Sequence, residues 1–426
     1  MAVVKSSNFQ IDIQCPQCGA PIVIQETVHI IECPFCRVRS ILSVEPFPCY
    51  YFEPHQEKLS NMSLVYIPYW RFKGLEFALA KHHVSYRVID NSWKAVKNLN
   101  IPASLGLRSQ TQKLKFIQPG TKGIFLPHEI SRKEIVRHMD NDYDIANIIS
   151  GTSSKQTKKK QVYVHIGEII SLIYLPFYKT KSEIFDGFTG NKINISPGLE
   201  KQIFSKGQLP EYNYSFQSGL CPNCGWDLTG ASDSLVLVCK GCLRAYRISR
   251  TGLKPFKVQC GSIDADTDIL IPFWKLAVKF TKLQLKKYAD IIKLANLPKA
   301  ILNEHKTKDF YFFIPGFKIN PKLFLRLGKQ VSLLQPDSIP FKTQLPRLDF
   351  YPGDLPLQEG LEAVLPILME LCKRQKGFWE ILVKEKIKLD KYSLIYLPFT
   401  KTGSEYVQPE LKFSIPVNSL KFGRTL

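Results

Sequence analysis

A chain of 426 residues exceeds one ordinary hydrophobic core and points to two to four domains. With 44% hydrophobic and 22% charged residues it is too apolar for a disordered chain. The formal charge of +21 favours an anionic partner, or solubility, and does not bear on fold. The opening MAVVKSSNFQ has no apolar stretch long enough for a secretory signal. The longest apolar run, Ile169 to Tyr178, is about half a membrane span, so a cytoplasmic protein without a span is expected.

In chain order, the first element is CPQCGAPIVIQETVHIIECPFC, with Cys15, Cys18, Cys33 and Cys36. A second cluster, CPNCGWDLTGASDSLVLVCKGC, places Cys221, Cys224, Cys239 and Cys242 each 206 residues later. Eight of eleven cysteines thus fall in Cys-x-x-Cys pairs, which favours metal thiolates in a reducing compartment over disulfides. A tight turn across two intervening residues aims both sulfurs at one point. Gly19 and Gly225 follow the leading pairs, where a positive φ is tolerated, whereas Arg37 and Leu243 make the trailing pairs less typical. The segments PIVIQETVHII and DSLVLV predict short strands that form a hairpin and return the second pair to the first. Four thiolates in a tetrahedron suit zinc, with iron in a rubredoxin-like site as the alternative. Two zinc-tetrathiolate sites, each of net charge minus two, lower the +21 to +17.

The spacing of fourteen residues between pairs resembles the zinc-ribbon family, twice over. That resemblance implies a ribbon fold and two structural Zn2+ ions, with no particular activity. Four protein ligands leave no open position for catalysis.

After each cluster the same elements follow in the same order, and self-comparison reads a tandem duplication. IPYW at Ile67 to Trp70 is matched by IPFW at Ile271 to Trp274. GIFLPHEISRKEIVRHMD from Gly123 is matched by FFIPGFKINPKLFLRLGK from Phe312, each a strand ending at proline and then a helical stretch. SLIYLPFYKT, Ser171 to Thr180, returns as SLIYLPFTKT, Ser393 to Thr402, 222 positions later. The larger offset places the extra residues around QVSLLQPDSIPFKTQLPRLDFYPGD. The longer runs VYVHIGEIISLIYLPF and ILVKEKIKLDKYSLIYLPF read as strands that end at their prolines, because proline cannot donate to a ladder. EIFDGFTGNKINI reads as strand, glycine turn and strand. Leu361, Val364, Leu365, Leu368 and Cys372 share a helical face, with Pro366 as a kink. The expected fold is α+β and β-rich: zinc ribbon 1 over residues 11–45, a mixed domain over 46–217, zinc ribbon 2 over 218–250 and a second mixed domain over 251–426.

Outside the ribbons the repeated chemistry is aromatic and proline-rich: YIPYWRF, LIYLPFY, LIPFWKL and FFIPGF. Such strands are expected in the core. The sharper expectation has Trp70 and Trp274 partly exposed beside Arg71 and Lys275, as paired stacking or peptide-docking sites. These elements behind a ribbon are similar to a recurrent type of uncharacterised bacterial zinc-ribbon protein, from which no activity follows.

The charge is uneven. Lys240 to Lys329 holds 19 Lys or Arg against 6 Asp or Glu. Directly after the last cysteine of ribbon 2 come Arg244, Arg247, Arg250, Lys254 and Lys257, interleaved with Tyr246 and Phe256. Basic and aromatic residues together suit phosphate neutralisation and base stacking; a solvated charged face is the equal alternative. SGTSSKQTKKKQ, residues 150–161, reads as a solvated loop, or as a basic arm.

Cys49, Cys260 and Cys372 read as buried structural thiols. His82 and His83, as strand neighbours, would point to opposite faces. Asp264, Asp266 and Asp268 lack the glycine and distal glutamate of a calcium loop. No phosphate loop, dinucleotide fingerprint, HExxH or GxSxG motif is present, and no catalytic residues are assigned. The sequence therefore predicts a non-catalytic zinc-ribbon protein that binds an anionic macromolecule, with nucleic acid narrowly favoured. The alternative is a scaffold subunit of a cytoplasmic multiprotein complex in which the ribbons dock an acidic protein partner. A peripheral membrane protein is a weaker third reading.

Overall fold

The computed structural model describes residues 9–54, 63–97, 101–106, 113–131, 134, 162–179, 183–193, 207–249, 252–373 and 375–423. It is β-rich, 44% strand and 15% helix. The chain divides into two compact units: Met1–Lys73 with Ile89–Lys155 and Ile169–Ser218, and Gly74–Val88 with Gln156–Glu168 and Gly219–Leu426.

Thirteen strands begin in chain order with β1 (Gln10–Gln14), β2 (Pro21–Gln25), β3 (Ile30–Glu32), β4 (Arg39–Glu45) and β5 (Cys49–Phe52). They continue with β6 (Ser63–Ala80), β7 (His83–Lys94), β8 (Lys113–Phe116), β9 (Ile124–Phe125), β10 (Val162–Lys179), β11 (Ile184–Asp186), β12 (Lys192–Ile193) and β13 (Asn213–Ser218). One sheet runs β12-β11-β10-β5-β8-β1-β2, with β6 joined to β10, β7 and β9, and a smaller one runs β13-β4-β3. β10 carries the first decapeptide and is apolar on both faces. Leu172 and Tyr174 join Cys49 and Trp70 in one core, while Ile173, Leu175 and Phe177 join Phe52 and Tyr69 in another. Period-two alternation with no polar side explains why this strand is central. The ends of β6, β7 and β10 that belong to the second unit put Phe77, Val84 and Ile166 into its core, Phe77 lying 6.2 Å from Phe324 between ring centroids.

In the second unit β14 (Leu228–Thr229), β15 (Val236–Cys239), β16 (Ala245–Ser249) and β17 (Gly252–Pro255) form a four-stranded sheet in that order. The larger sheet uses β18 (Val258–Gly261), β19 (Ile269–Phe280), β20 (Phe312–Pro315), β21 (Phe341–Lys342), β22 (Asp349–Phe350) and β23 (Ile387–Thr402), ordered β20-β19-β23-β18-β21 with β22 on β19. The hairpin of β24 (Glu405–Gln408) and β25 (Phe413–Pro416) extends β23. The helices are α1 (Tyr288–Leu294), α2 (Asn303–Thr307), α3 (Pro321–Leu334), α4 (Leu357–Glu362), α5 (Val364–Cys372), α6 (Phe378–Leu382) and α7 (Val417–Gly423). α3 starts where Asn320 accepts a hydrogen bond from the Lys322 N–H at 3.0 Å and Pro321 fills the first helical position. Its buried Phe324, Leu327 and Val331 face the core. In both units the decapeptide strand has a short parallel neighbour, Cys49 opposite Leu172 and Val258 opposite Leu394.

Several sequence expectations change here. Pro68, Pro176, Pro272 and Pro398 lie inside β6, β10, β19 and β23 and do not end them. A proline removes only the N–H, so it is tolerated where that N–H would not join the ladder. The carbonyls of Pro68, Pro176 and Pro272 still accept, from the N–H groups of Ala95 (2.8 Å), Gly187 (2.9 Å) and Gly316 (3.0 Å). The helical face from Leu361 to Cys372 is split between α4 and α5 at Ala363, ahead of Pro366. The segment Ile381 to Val383 belongs to the end of α6, and the second decapeptide strand starts only at Ile387. The helical stretch expected after Gly123 and the basic stretch 150–161 lie outside the described residues. EIFDGFTGNKINI contains the expected hairpin, β11 with β12. No helix among the described residues is long and apolar enough to cross a membrane.

Candidate metal centres and the basic face

All four Cys-x-x-Cys turns have one backbone design. The N–H of the residue after the second cysteine donates to the carbonyl of the first, at 2.9 Å in Gly19 to Cys15, Arg37 to Cys33, Gly225 to Cys221 and Leu243 to Cys239. The N–H of each first cysteine donates back across the turn, to Ala20, Val38, Trp226 and Arg244. The pivot residue is left-handed in every case, with φ of 73° at Gly19, 59° at Arg37, 72° at Gly225 and 56° at Leu243. The trailing pairs are therefore as regular as the leading ones, contrary to the sequence expectation. Arg37 and Leu243 bear the steric cost of that conformation, about 1–2 kcal/mol each.

The sulfurs converge. Cys15 and Cys36 lie 3.7 Å apart and Cys18 and Cys33 3.8 Å; Cys221 and Cys242 lie 3.6 Å apart and Cys224 and Cys239 3.4 Å. A tetrahedron with metal–sulfur bonds of about 2.3 Å has edges of about 3.8 Å, so the donor sets suit a four-coordinate metal. Among the described residues only these two groups bring three or more potential ligands together. The thiols are unequal. The Cys18 backbone N–H is the main cause that holds Cys15 down, at about 6. Burial raises Cys221, but the Tyr246 hydroxyl and the N–H groups of Asn223 and Cys224 outweigh it and leave it at about 6. Burial and the neighbouring sulfurs push Cys239 up to about 12. Four like charges at these distances need a cation to coexist.

The surroundings of the two centres differ. In the first, β1 pairs with β2 and each cysteine pair caps its own hairpin, β1–β2 or β3–β4, in place of the expected hairpin between the pairs. In the second, β14 pairs with β15, so the hairpin between the pairs forms as expected. Tyr246, buried on β16, sets its hydroxyl oxygen 3.4 Å from Cys221 Sγ. The first centre has no such hydroxyl neighbour among the described contacts. At the end of the β1–β2 hairpin away from its cysteines, Glu26 forms a buried ion pair with Arg71, which also binds Asp90 at 2.9 Å and stacks over Phe9 at 4.5 Å.

The basic residues after ribbon 2 do not all face one way. Arg244 is exposed and donates Nη1 to Asn223 Oδ1 at 2.6 Å, beside the first turn of the cluster. Arg247 and the exposed Lys254 are opposite one another on β16 and β17, and Arg247 lies 5.6 Å from the Phe256 ring centre. Lys257 is exposed, and Arg250 lies outside the described residues. Further along, Lys287 pairs with Asp309 and Lys308 with Asp337, both at 2.7 Å, so part of the local surplus is compensated.

The expected exposure of the two tryptophans is absent. Trp70 is 1% and Trp274 4% exposed, and each donates its indole N–H to a carbonyl, Ile130 at 2.7 Å and Leu355 at 2.9 Å. Large apolar rings with one satisfied polar atom belong in the core, and neither offers a face to a macromolecular partner. Among the described residues the most exposed aromatics are two that the sequence reading passed over: Phe35, 65% exposed, between Cys33 and Cys36, and Trp226, 63% exposed, directly after Gly225. Their signal was available. When both sulfurs of a turn point inward, side chains inside or just beyond it point out.

Cys49, Cys260 and Cys372 are buried, and burial pushes Cys260 and Cys372 up to about 12. His82 sits in the β6–β7 turn with φ of 65° while His83 begins β7. Asp264 closes a local turn, accepting from Thr267 Oγ1 at 2.6 Å, and Asp268 accepts from the Lys401 N–H at 2.6 Å. A second network, the buried Glu76 with the exposed Arg87 (2.6 Å) and the buried His165 (3.4 Å), was not foreseen because His165 lies 89 positions from Glu76. Comparison of the chain with protein-family models, with curated proteins and with solved structures gave no match.

Proposed function

We propose that this chain is a non-catalytic binding protein, built by tandem duplication around two structural zinc ions, whose second ribbon engages single-stranded nucleic acid. The observation that carries the proposal is the 63% exposed Trp226 at the rim of the second cluster. Gly241 holds it close, since a Cβ there would meet Trp226 Cβ at 3.1 Å. Exposed Lys240 and Arg244 come from the same end of the ribbon. An indole face with cations beside it is the pairing that stacks a base and neutralises its phosphate, independently of sequence. Closed four-thiolate sites support the metal as a staple and the absence of catalysis at the clusters. The matched turns and the matched parallel neighbours of the two decapeptide strands support duplication.

The test is fluorescence anisotropy with a labelled single-stranded oligonucleotide over a salt series. Binding is expected to weaken steeply with salt, and Trp226→Ala to cost about 1–3 kcal/mol. An absence of binding at low salt overturns the proposal. Elemental analysis should give two zinc per chain, and a red iron chromophore would refute that metal.

A second reading is favoured at ribbon 1. Phe35 and Val38, 65% and 38% exposed, make its tip apolar. Such a tip suits a protein partner in a cytoplasmic assembly, and a stoichiometric complex in native extract would identify it.

A further inference from the structure

Between ribbon 2 and the α4 region of the same unit lies a cavity of about 530 Å3. This is within the roughly 300–1,000 Å3 range of small-molecule sites. Its walls are mainly apolar, with Val236 and Ile248 from the ribbon facing Trp274, Leu355, Leu357 and Leu394. Among the described residues the only charged ones lining it are Arg247 and Lys254, and none of the lining residues is a carboxylate.

These two cations are directly opposite in the register of β16 and β17. Like charges in that position repel across the strands, and among the described residues neither has an ion pair to relieve it. An anion held between them removes the repulsion, and the apolar wall behind them takes a tail and excludes water. The requirement is therefore for both features in one small molecule.

We infer that this cavity binds an amphipathic anion, a carboxylate or phosphate head on an apolar chain or ring, with the head on Arg247 and Lys254 and the tail against Trp274, Leu355 and Leu394. The inference is independent of the nucleic-acid reading, which rests on Trp226, Lys240 and Arg244. It recasts Arg247 and Lys254 as partners of a small ligand at a pocket mouth. Trp274 becomes part of the pocket wall while staying 4% exposed.

Gly353 permits a test that leaves the charges alone. It lines the cavity, and a Cβ there would meet nothing closer than 3.7 Å, so a leucine can grow into the space. The zinc-loaded full chain is titrated calorimetrically with monomeric dodecanoate and with neutral 1-dodecanol. Dodecanoate is expected to bind once per chain and raise the melting temperature, with dodecanol weaker by about tenfold or more. The R247Q/K254Q pair should lose about tenfold or more in dodecanoate affinity. Gly353→Leu should abolish binding while zinc content and oligonucleotide affinity hold. Equal affinity for dodecanol, or affinity unchanged in R247Q/K254Q, overturns the inference. So does uptake only from anionic phospholipid vesicles, which would mark a membrane surface. R247Q/K254Q keeps the test decisive if the leucine variant fails to fold.

Discussion

In the first unit the strands around the leading cysteine pair are part of the main sheet, β1 pairing with β2 on one side and in parallel with β8 on the other. In the second unit the strands that hold the cluster, β14 to β17, form a sheet of their own, which reaches the unit's core through Val236, Val238 and Ala245 and the bond from the Leu235 N–H to the Gly353 carbonyl at 2.9 Å. The four turns are nevertheless superimposable in their hydrogen bonds and in the handedness of the pivot. The turn is thus a local object, set by six residues and their own hydrogen bonds, and can be carried by quite different sheets. What each sheet adds is the response to losing the metal.

The largest expected effect breaks the two clusters apart on that point. Chelation of both metals removes binding energy that in isolated zinc peptides is about 10–16 kcal/mol. Hydrogen exchange should then rise throughout β14–β17, whereas β1 keeps protection from β8, and β2 through its pairing with β1. Cys224→Ser should reproduce only the ribbon 2 half, with metal content falling to one per chain. Equal loss of protection in both ribbons would erase the distinction.

Next in size is the buried ion pair between Glu26, after β2, and Arg71 on β6, which has no counterpart at the second ribbon among the described residues. Glu26→Gln leaves Arg71 without its most buried partner, and removing one member of such a pair costs about 3–5 kcal/mol. Denaturant unfolding should show the loss, and exchange mapping should confine it to β1, β2 and β6.

The tryptophans offer a test of equivalence. Trp70→Phe and Trp274→Phe each leave a carbonyl, the half-buried one of Ile130 or the buried one of Leu355, without its donor. Each should cost about 1–3 kcal/mol, by equal amounts if the two positions are structural counterparts. A purely ligand-facing role would instead leave stability unchanged.

The smallest effect sharpens the view of the turns. Arg37→Gly removes a side chain from a left-handed position and should raise the stability of the metal-loaded protein by about 1 kcal/mol. Leu243→Gly gains the same relief but loses packing of Leu243 against the core, so its melting temperature should stay level or fall. These two variants separate backbone strain from burial at matched sites.

Spacing alone carried the sequence a long way. Cys-x-x-Cys repeated with fixed offsets defined both donor sets, because ligand geometry depends on a few adjacent residues. Alternation in SLIYLPFYKT defined a strand buried on both faces, and β10 is one. The same reasoning failed at the prolines, whose tolerance depends on which strand lies opposite, and at Arg37 and Leu243, whose left-handed backbone is imposed by the metal turn against their own preference. It failed too at Trp70 and Trp274, since exposure is decided by what covers a residue.

By itself, then, the sequence determined the two four-cysteine donor sets and the β-rich class, both of which follow from periodicity and short-range spacing. Only the tertiary structure decided that the tryptophans are covered, that Trp226 and Phe35 are not, and that Arg247 and Lys254 share the mouth of a cavity with Leu355 and Leu394. The tryptophans are held by carbonyls 60 and 81 positions away and the cavity mouth joins residues more than a hundred apart, brought together by burial of apolar surface, which has no signature in the local pattern.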